Sequence, residues 1–496
     1  VPGTAQRVVV VGAGVGGLAA AVDLARQGCN VTVVDRAGGP GGKIRQLVVD
    51  GAPIDAGPTV FTMRWVFEAL FADAGADLGG ELALRPAEVL ARHAWAAGGQ
   101  LDLYSDIDRT VEAIGAFAGA PEARAYRDFC ARGADMYATL RPALMTAQRP
   151  NPWSLGARVG WLHLDRLART APLTTLWTAL GQHFRDPRLR QLFGRYATYV
   201  GSSPAFAPAA LMVIAHVERE GVWLVDGGMR RVAEALQRLG TRHGASYRFG
   251  TGVARILVEN GRAAGVELAG GERLPADAVV FNGDITALGD GLLGSAVRGA
   301  ARGTPQLERS LSAITWCLRT TTSGFPLEHH NVFFADDYLD EFAAVFRRRE
   351  VPRRPTVYIC AQDRGHGATP AGPERLLVLI NAPADGDRHD FAGELADYRE
   401  RAFALLGDCG LQLADAGNGI VTTPNDFAQL FPASGGALYG PAARGAVGVF
   451  RRGAAWTRVP GLYLAGGSVH PGPGVPMAAI SGRLAAARVL AENRRR

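Results

Sequence analysis

The sequence predicts an α/β protein: a parallel-sheet domain assembled from separated stretches of chain, beside a mixed-sheet domain that carries a helical region. Three observations predict it. The apolar run 8–11 breaks into glycines at 12, 14, 16 and 17 and then a helical stretch. A second loop rich in glycine and proline, 466–474, precedes another helical stretch near the opposite end. Between them, short apolar runs bounded by turn residues alternate with amphipathic segments.

The first element is the apolar run 7–12, as expected of a parallel strand covered on both faces. Glycines follow at once, then the helical stretch 18–27, then a second apolar strand, 30–34, ending at Asp35. This is the βαβ dinucleotide fingerprint of the Rossmann fold. Gly12 makes the tight turn, Gly14 lets a pyrophosphate approach the backbone, and Gly16 and Gly17 open the helix, Gly17 packing it on the strand. The helix start faces the phosphates. Asp35 stands 18 residues after Gly17, placed to accept hydrogen bonds from an adenosine ribose. The fingerprint alone does not separate NAD from FAD, but an acid at 35 would repel the 2′-phosphate of NADP.

A second glycine segment, 38–43, ends in Gly42 and Lys43. Ile54-Asp55-Ala56-Gly57-Pro58-Thr59 follows a dozen residues later. The C-terminal strand-like run 461–465 leads into Gly466, Gly467 and Ser468, then His470 and a rigid Pro/Gly loop, and helix 478–492. Such a loop turns backbone N–H groups of a helix start outward, toward any group on which negative charge collects.

Together, "VVVVGAGVGGLAAA", "GGPGGKIR" and "LYLAGGSVHPGPGVPMAAISG" resemble the signatures of the carotenoid and phytoene desaturase family. In detail they are most similar to its 1-hydroxycarotenoid 3,4-desaturase branch, also called hydroxy- or methoxyneurosporene dehydrogenases. The resemblance spans essentially the whole chain and is sharpest at both ends. It implies FAD as the cofactor, held by Gly12, Gly14, Gly16, Gly17, Asp35, Arg36, Gly42, Lys43, Gly57, Pro58, Thr59, Val253, Asn282, Gly467, Ser468, Val475, Pro476 and Met477. Many wider relatives carry an acid where this chain has Ser468; a hydroxyl residue there suits the desaturases. The expected reaction removes a hydride to flavin N5 and a proton from an acyclic carotenoid drawn from the bilayer, forming a C=C bond. Oxygen or a quinone is the expected electron acceptor.

The middle of the chain completes the picture. Asp226-Gly227-Gly228-Met229 precedes a helical stretch, 231–239; strand runs follow at 252–257 and 278–281, with a hairpin through Asn260-Gly261. The cofactor domain is therefore expected to comprise 1–70, 220–290 and 455–496, and the substrate domain 71–219 and 291–454. Strands are expected at 332–335, 356–361 and 376–381, and a helix near 391–406. No second G-x-G-x-x-G follows a strand, so a separate NAD module is not expected. Residues 121–216 read as mostly helical. Within 151–200, seven arginines face two aspartates, with Trp153, Trp161 and Trp177 interleaved. That pattern suits docking on a membrane surface, or equally a helical lid with tryptophans in its core.

Bulk composition narrows the class. Hydrophobic content of 48% with 20% charge excludes disorder and fibres. The formal charge of +6 comes from scattered arginines, Lys43 being the one lysine, so no nucleic-acid partner is expected. The five cysteines are widely spaced and imply neither disulfides nor a zinc site. No signal peptide or membrane span is evident, and the expected location is cytoplasmic, peripheral to the inner or photosynthetic membrane. The candidate catalytic groups are His163 and Asp165. His470 belongs to the flavin loop with a structural role, and His329-His330 reads as surface loop without a metal. Alternatives on the same fold are a phytoene desaturase, an amine or porphyrinogen oxidase, and a non-enzymatic prenyl-lipid escort.

Overall fold

A computed structural model describes residues 5–148, 152–159, 173–301, 308–365, 367, 370–414, 419–445 and 448–494. Five strands form a parallel sheet in the order Leu462–Leu464, Ala278–Phe281, Arg7–Val11, Asn30–Val34, Ser246–Arg248. The alternation of side chains along the inner strands supplies two buried faces. Val8 and Val10 pack with Val31, Val33 and Val280 against helices Val15–Ala25, Arg230–Arg242 and Val475–Asn493. Val9 and Val11 pack with Val279, Phe281 and Leu464 against the three-stranded antiparallel layer of Val253–Glu259, Arg262–Leu268 and Arg273–Pro275. The hairpin forms at Asn260-Gly261, both at positive φ (51° and 75°), as the turn type requires. The core on the helix side runs on past residue 70, through Phe71, Ala74 and Leu78 to Leu82.

The second sheet is mixed. Its path is Leu411–Ala414, Ser312–Gly324, Glu374–Ala382, Val357–Ala361, His330–Phe334, Val89–Trp95, Gln100–Tyr104, with Ile420–Thr422 also on Ser312–Gly324. The His330–Phe334 and Val89–Trp95 strands run parallel, and the other pairs are antiparallel. One face packs Ile314, Trp316, Phe333, Ile359 and Val378 on helix Leu395–Asp408. On the other, Val332 and Phe334 meet an aromatic core of Tyr126, Phe129, Phe184, Phe193 and Tyr196. Those rings come from the helical region, which includes Ala120–Leu140, Leu176–His183, Pro187–Gly194 and Val213–Glu220. No helix among the described residues is long and apolar enough to cross a membrane.

One expectation is corrected and one open choice is narrowed. His330 is no surface loop residue: it starts a strand and is 3% exposed, because register pairs it with Cys360 in the sheet interior. Trp177 does not lie free at an interface. It is packed at the edge of the aromatic core beneath the Arg190 guanidinium, 4.1 Å from its ring. Arg188 likewise turns to Asp186 (2.7 Å), and Arg195 turns inward to the Tyr199 hydroxyl (3.2 Å).

Candidate functional site

The two glycine-rich turns meet at the C-terminal edge of the parallel sheet, and the crossing of their backbones explains the glycines. Gly12 has φ +102°, a conformation that side chains resist. A methyl on Gly17 would stand 2.0 Å from the Gly12 carbonyl oxygen, and one on Gly16 would stand 2.9 Å from the Gly466 nitrogen. Asn282, at the end of the neighbouring strand, ties the turn in place: its backbone N–H donates to Val11 O (2.8 Å) and its side-chain amide to Gly12 O (3.1 Å).

Helix Val15–Ala25 begins after Gly14 without a side-chain cap. Helix Val475–Asn493 does the same after Gly474, with Pro476 in its first turn and Met477 beyond. Two uncapped helix starts on glycine loops are ready positions for anionic groups. Asp35 reaches back to the first turn, its carboxylate accepting from Ala13 N (2.6 Å) and Ala37 N (2.8 Å). Thr251 N donates to Asp35 O (2.9 Å), which brings Val253 alongside. Gly41 pairs in parallel with Gly14, and Gly42 lies so close that a methyl would be 3.1 Å from Gly14 Cα. A diphosphate between uncapped helix start and side-chain-free backbone, with a ribose at Asp35, fits this cradle, and FAD supplies both.

Other predicted binders are engaged within the chain. Arg36 donates to the carbonyls of Gln429 and Leu430. The Lys43 ammonium donates to Leu438 O (2.5 Å) and lies over Phe431; burial lowers its affinity for a proton. The Ser468 hydroxyl accepts from Ile285 N (3.2 Å), so it braces the loop rather than projecting from it. Gly467 O is held by Arg452 (2.8 Å), a buried guanidinium that also donates to Pro441 O (2.8 Å) and that burial brings down to about 10. Sequence reasoning missed Arg452, because its partners are backbone carbonyls without a sequence signature.

The Gly57-Pro58-Thr59 loop lies between the glycine segment at Lys43 and the mixed sheet at Tyr358. A methyl on Gly57 would collide with Lys43 O at 1.9 Å. Pro58 is exposed in the loop. Just before it, the Asp55 carboxylate accepts from Met229 N (2.6 Å) and Gln46 Nε2 (3.0 Å). The Asp55 backbone exchanges two bonds with the Gln362 amide (2.9 and 3.0 Å), across to the second sheet. Burial raises the Asp55 carboxyl above the ordinary range against the pull of those donors. Thr59 Oγ1 lies 2.7 Å from Tyr358 OH, which is 2.8 Å from His330 Nδ1. His329 Nε2 is 3.4 Å from Cys360 Sγ, and His329, His330 and Cys360 each offer an atom within 4.8 Å of the others. Burial pushes the Cys360 thiol far up, so it stands protonated. Thr59, Asp55, His329 and Cys360 also line a cavity of about 340 Å³.

His470 is buried, its backbone N–H donating to Gly453 O (2.9 Å). Burial lowers its imidazole to about 4, with the backbone of Ala147 and Leu144 pulling the other way. The unfolded chain takes up this proton below about 6.5, while the folded chain resists it down to about 4. Folded stability therefore declines as pH falls through that window. Between pH 7 and 5 the loss from this group should be about 2 kcal/mol. Urea titrations at both pH values should show His470→Asn losing correspondingly less. His163 and Asp165 lie outside the described residues, as does Trp161.

A family profile for flavin-containing amine oxidoreductases matches residues 15–490. The chain is 53% identical to a hydroxyneurosporene desaturase of Rubrivivax gelatinosus, over 98% of this chain and 93% of that protein. It is 47% identical to a hydroxyneurosporene desaturase of Cereibacter sphaeroides, over 98% of each. Among solved structures, a putrescine oxidase redesigned at its cofactor site shares the fold, with a TM-score of 0.62 at 16% identity over 98% of this chain and 99% of that one.

Proposed function

The chain belongs to the flavin-containing amine oxidoreductases, and from that premise we propose that it is an FAD-dependent desaturase that forms a 3,4 double bond in 1-hydroxycarotenoids. The observation that carries the reading is the 53% identity to a hydroxyneurosporene desaturase over nearly the full length of both chains. The site's geometry agrees with it. FAD, when bound, supplies the hydride acceptor.

The protein's own contribution is placement and dryness. Asp35 and the first helix start would hold the adenosine and phosphates, and the second helix start at Val475 would favour negative charge on the reduced ring system. The Gly57–Thr59 loop and the aromatic core beyond it offer an apolar bed for a polyene, with Val60, Tyr199, Leu211, Ile214 and Tyr439 half-buried along it. Loss of hydride from an allylic carbon leaves a delocalised cation whose neighbouring proton is acidic, so the site does not need a strong base. His163 and Asp165 stay the candidates should one act.

A hydrocarbon of this kind resides in a bilayer, so the enzyme is proposed to dock on a membrane surface and pass electrons to oxygen or a quinone. Trp153 and Leu173 are the most exposed large apolar side chains described, at 78% and 91%, and suit such docking.

Incubating FAD-loaded protein with 1-hydroxyneurosporene in liposomes, and with phytoene in parallel, tests the assignment. The expected outcome is loss of two hydrogens and a red-shifted spectrum in the first tube alone, read by mass and absorption. Conversion of phytoene instead would move the protein to the general desaturases.

A further inference from the structure

Resting on that reading, the chemistry fixes where the substrate's alcohol must be held. In 3,4-desaturation of a 1-hydroxycarotenoid, the nearer reacting carbon is two bonds from the carbon that bears the hydroxyl. The group that holds the hydroxyl must therefore stand beside the place where hydrogen leaves, and not at a remote end of an apolar tunnel; on the family resemblance, the Gly57–Thr59 loop lies against the flavin and so borders that place.

A half-buried polar chain meets that loop and ends on a buried residue: Thr59 Oγ1 to Tyr358 OH (2.7 Å), and Tyr358 OH to His330 Nδ1 (2.8 Å). It ends unfinished. His330 is 3% exposed, yet its Nε2 has no hydrogen-bond partner. Burial keeps the imidazole neutral, so it carries a single N–H. If Tyr358 donates to Nδ1, the proton sits on Nε2 and is an unused donor. If Nδ1–H donates to Tyr358, Nε2 is an unused acceptor. An alcohol both donates and accepts, so it completes the chain in either tautomer; a plain hydrocarbon completes neither and leaves a buried polar atom bare.

The surroundings suit the rest of such a molecule. Tyr358 packs at the margin of the aromatic core that includes Val332, Phe334 and Tyr196, so the polar chain borders an apolar layer. We propose that His330 Nε2 is the seat of the substrate's tertiary hydroxyl, that Tyr358 positions the imidazole through Nδ1, and that this pair sets the preference for hydroxylated over unhydroxylated carotenoids.

The test compares kcat/KM for 1-hydroxyneurosporene and for neurosporene, together with the dissociation constant of each from the change in carotenoid absorption on binding. His330→Leu should lower kcat/KM and affinity for the alcohol about 100-fold and leave neurosporene within about threefold, collapsing the ratio. Tyr358→Phe, which removes one oxygen and keeps the ring, should lower the same ratio about tenfold, through KM more than kcat. Flavin content and melting midpoint report whether each variant is folded; should His330→Leu fail to fold, Tyr358→Phe carries the test. If wild-type protein converts the alcohol and both folded variants keep its ratio, the hydroxyl seat is overturned while the desaturase reading stands. If wild-type protein converts neither compound, the desaturase reading falls and the inference with it.

Discussion

Alanine at position 482 is expected to cost the protein about 3 kcal/mol and most of its bound flavin. Helices Val15–Ala25 and Val475–Asn493 touch through backbone here: a methyl on Gly482 would stand 2.0 Å from Gly16 O and 3.0 Å from Ala20 N. Neither neighbour is a flexible side-chain tip, so one helix must move as a body. The helix displaced at its middle is the one whose start closes the cofactor loop, and the other opens from the Gly14 turn. Stability and flavin retention should therefore fall together. The melting midpoint should drop by on the order of 5 °C, with a matching loss of flavin absorbance after gel filtration. Gly407→Ala serves as the control, since a methyl there meets nothing within 4 Å, and it should change neither reading.

Asp55→Ala is expected to be comparably damaging, for a different reason. It would strip the partner from Met229 N and Gln46 Nε2 and leave a buried backbone donor bare. The loss should be about 3 kcal/mol. Asp55→Asn keeps an acceptor and sheds a charge that burial already disfavours, so it should retain most of the stability. Chemical denaturation of the two variants, with flavin retention alongside, separates the outcomes. Equal damage from both would mean that the charge itself, and not the acceptor, holds the junction.

The parts of the site that could be read from the sequence are those that local chemistry dictates. Gly12, Gly14 and Gly17 sit between a strand and a helix whose periodicities change at that point, and Asp35 closes the second strand. The Pro/Gly loop before residue 475 announces a helix start in the same way. The polar chain at Thr59 could not be read so. Thr59 and Tyr358 are 299 positions apart and meet only because the mixed sheet packs over the 55–59 loop. His330 looked like loop because histidine carries no strand signature and follows another histidine; what buries it is its pairing with Cys360. Trp177 and the arginines around it suited an interfacial stripe and a helical lid equally; Trp177 falls on the lid reading, half-buried against the aromatic core under Arg190, and Arg195 turns to the Tyr199 hydroxyl. A sequence window counts charge without seeing which way it points.

The strand order of the parallel sheet also has a consequence for how the protein is made. Its central pair leaves the ribosome first, within residues 7–34, but the flanking strands come at 246–248, 278–281 and 462–464. The cradle cannot close until residues 462–493 have emerged, so the nascent chain carries half-built, apolar edges for as long as the segments between 34 and 462 are being made. Flavin can be captured in full only after the 462–464 strand has joined the sheet, and the interval before that is when a chaperone would matter most to this chain.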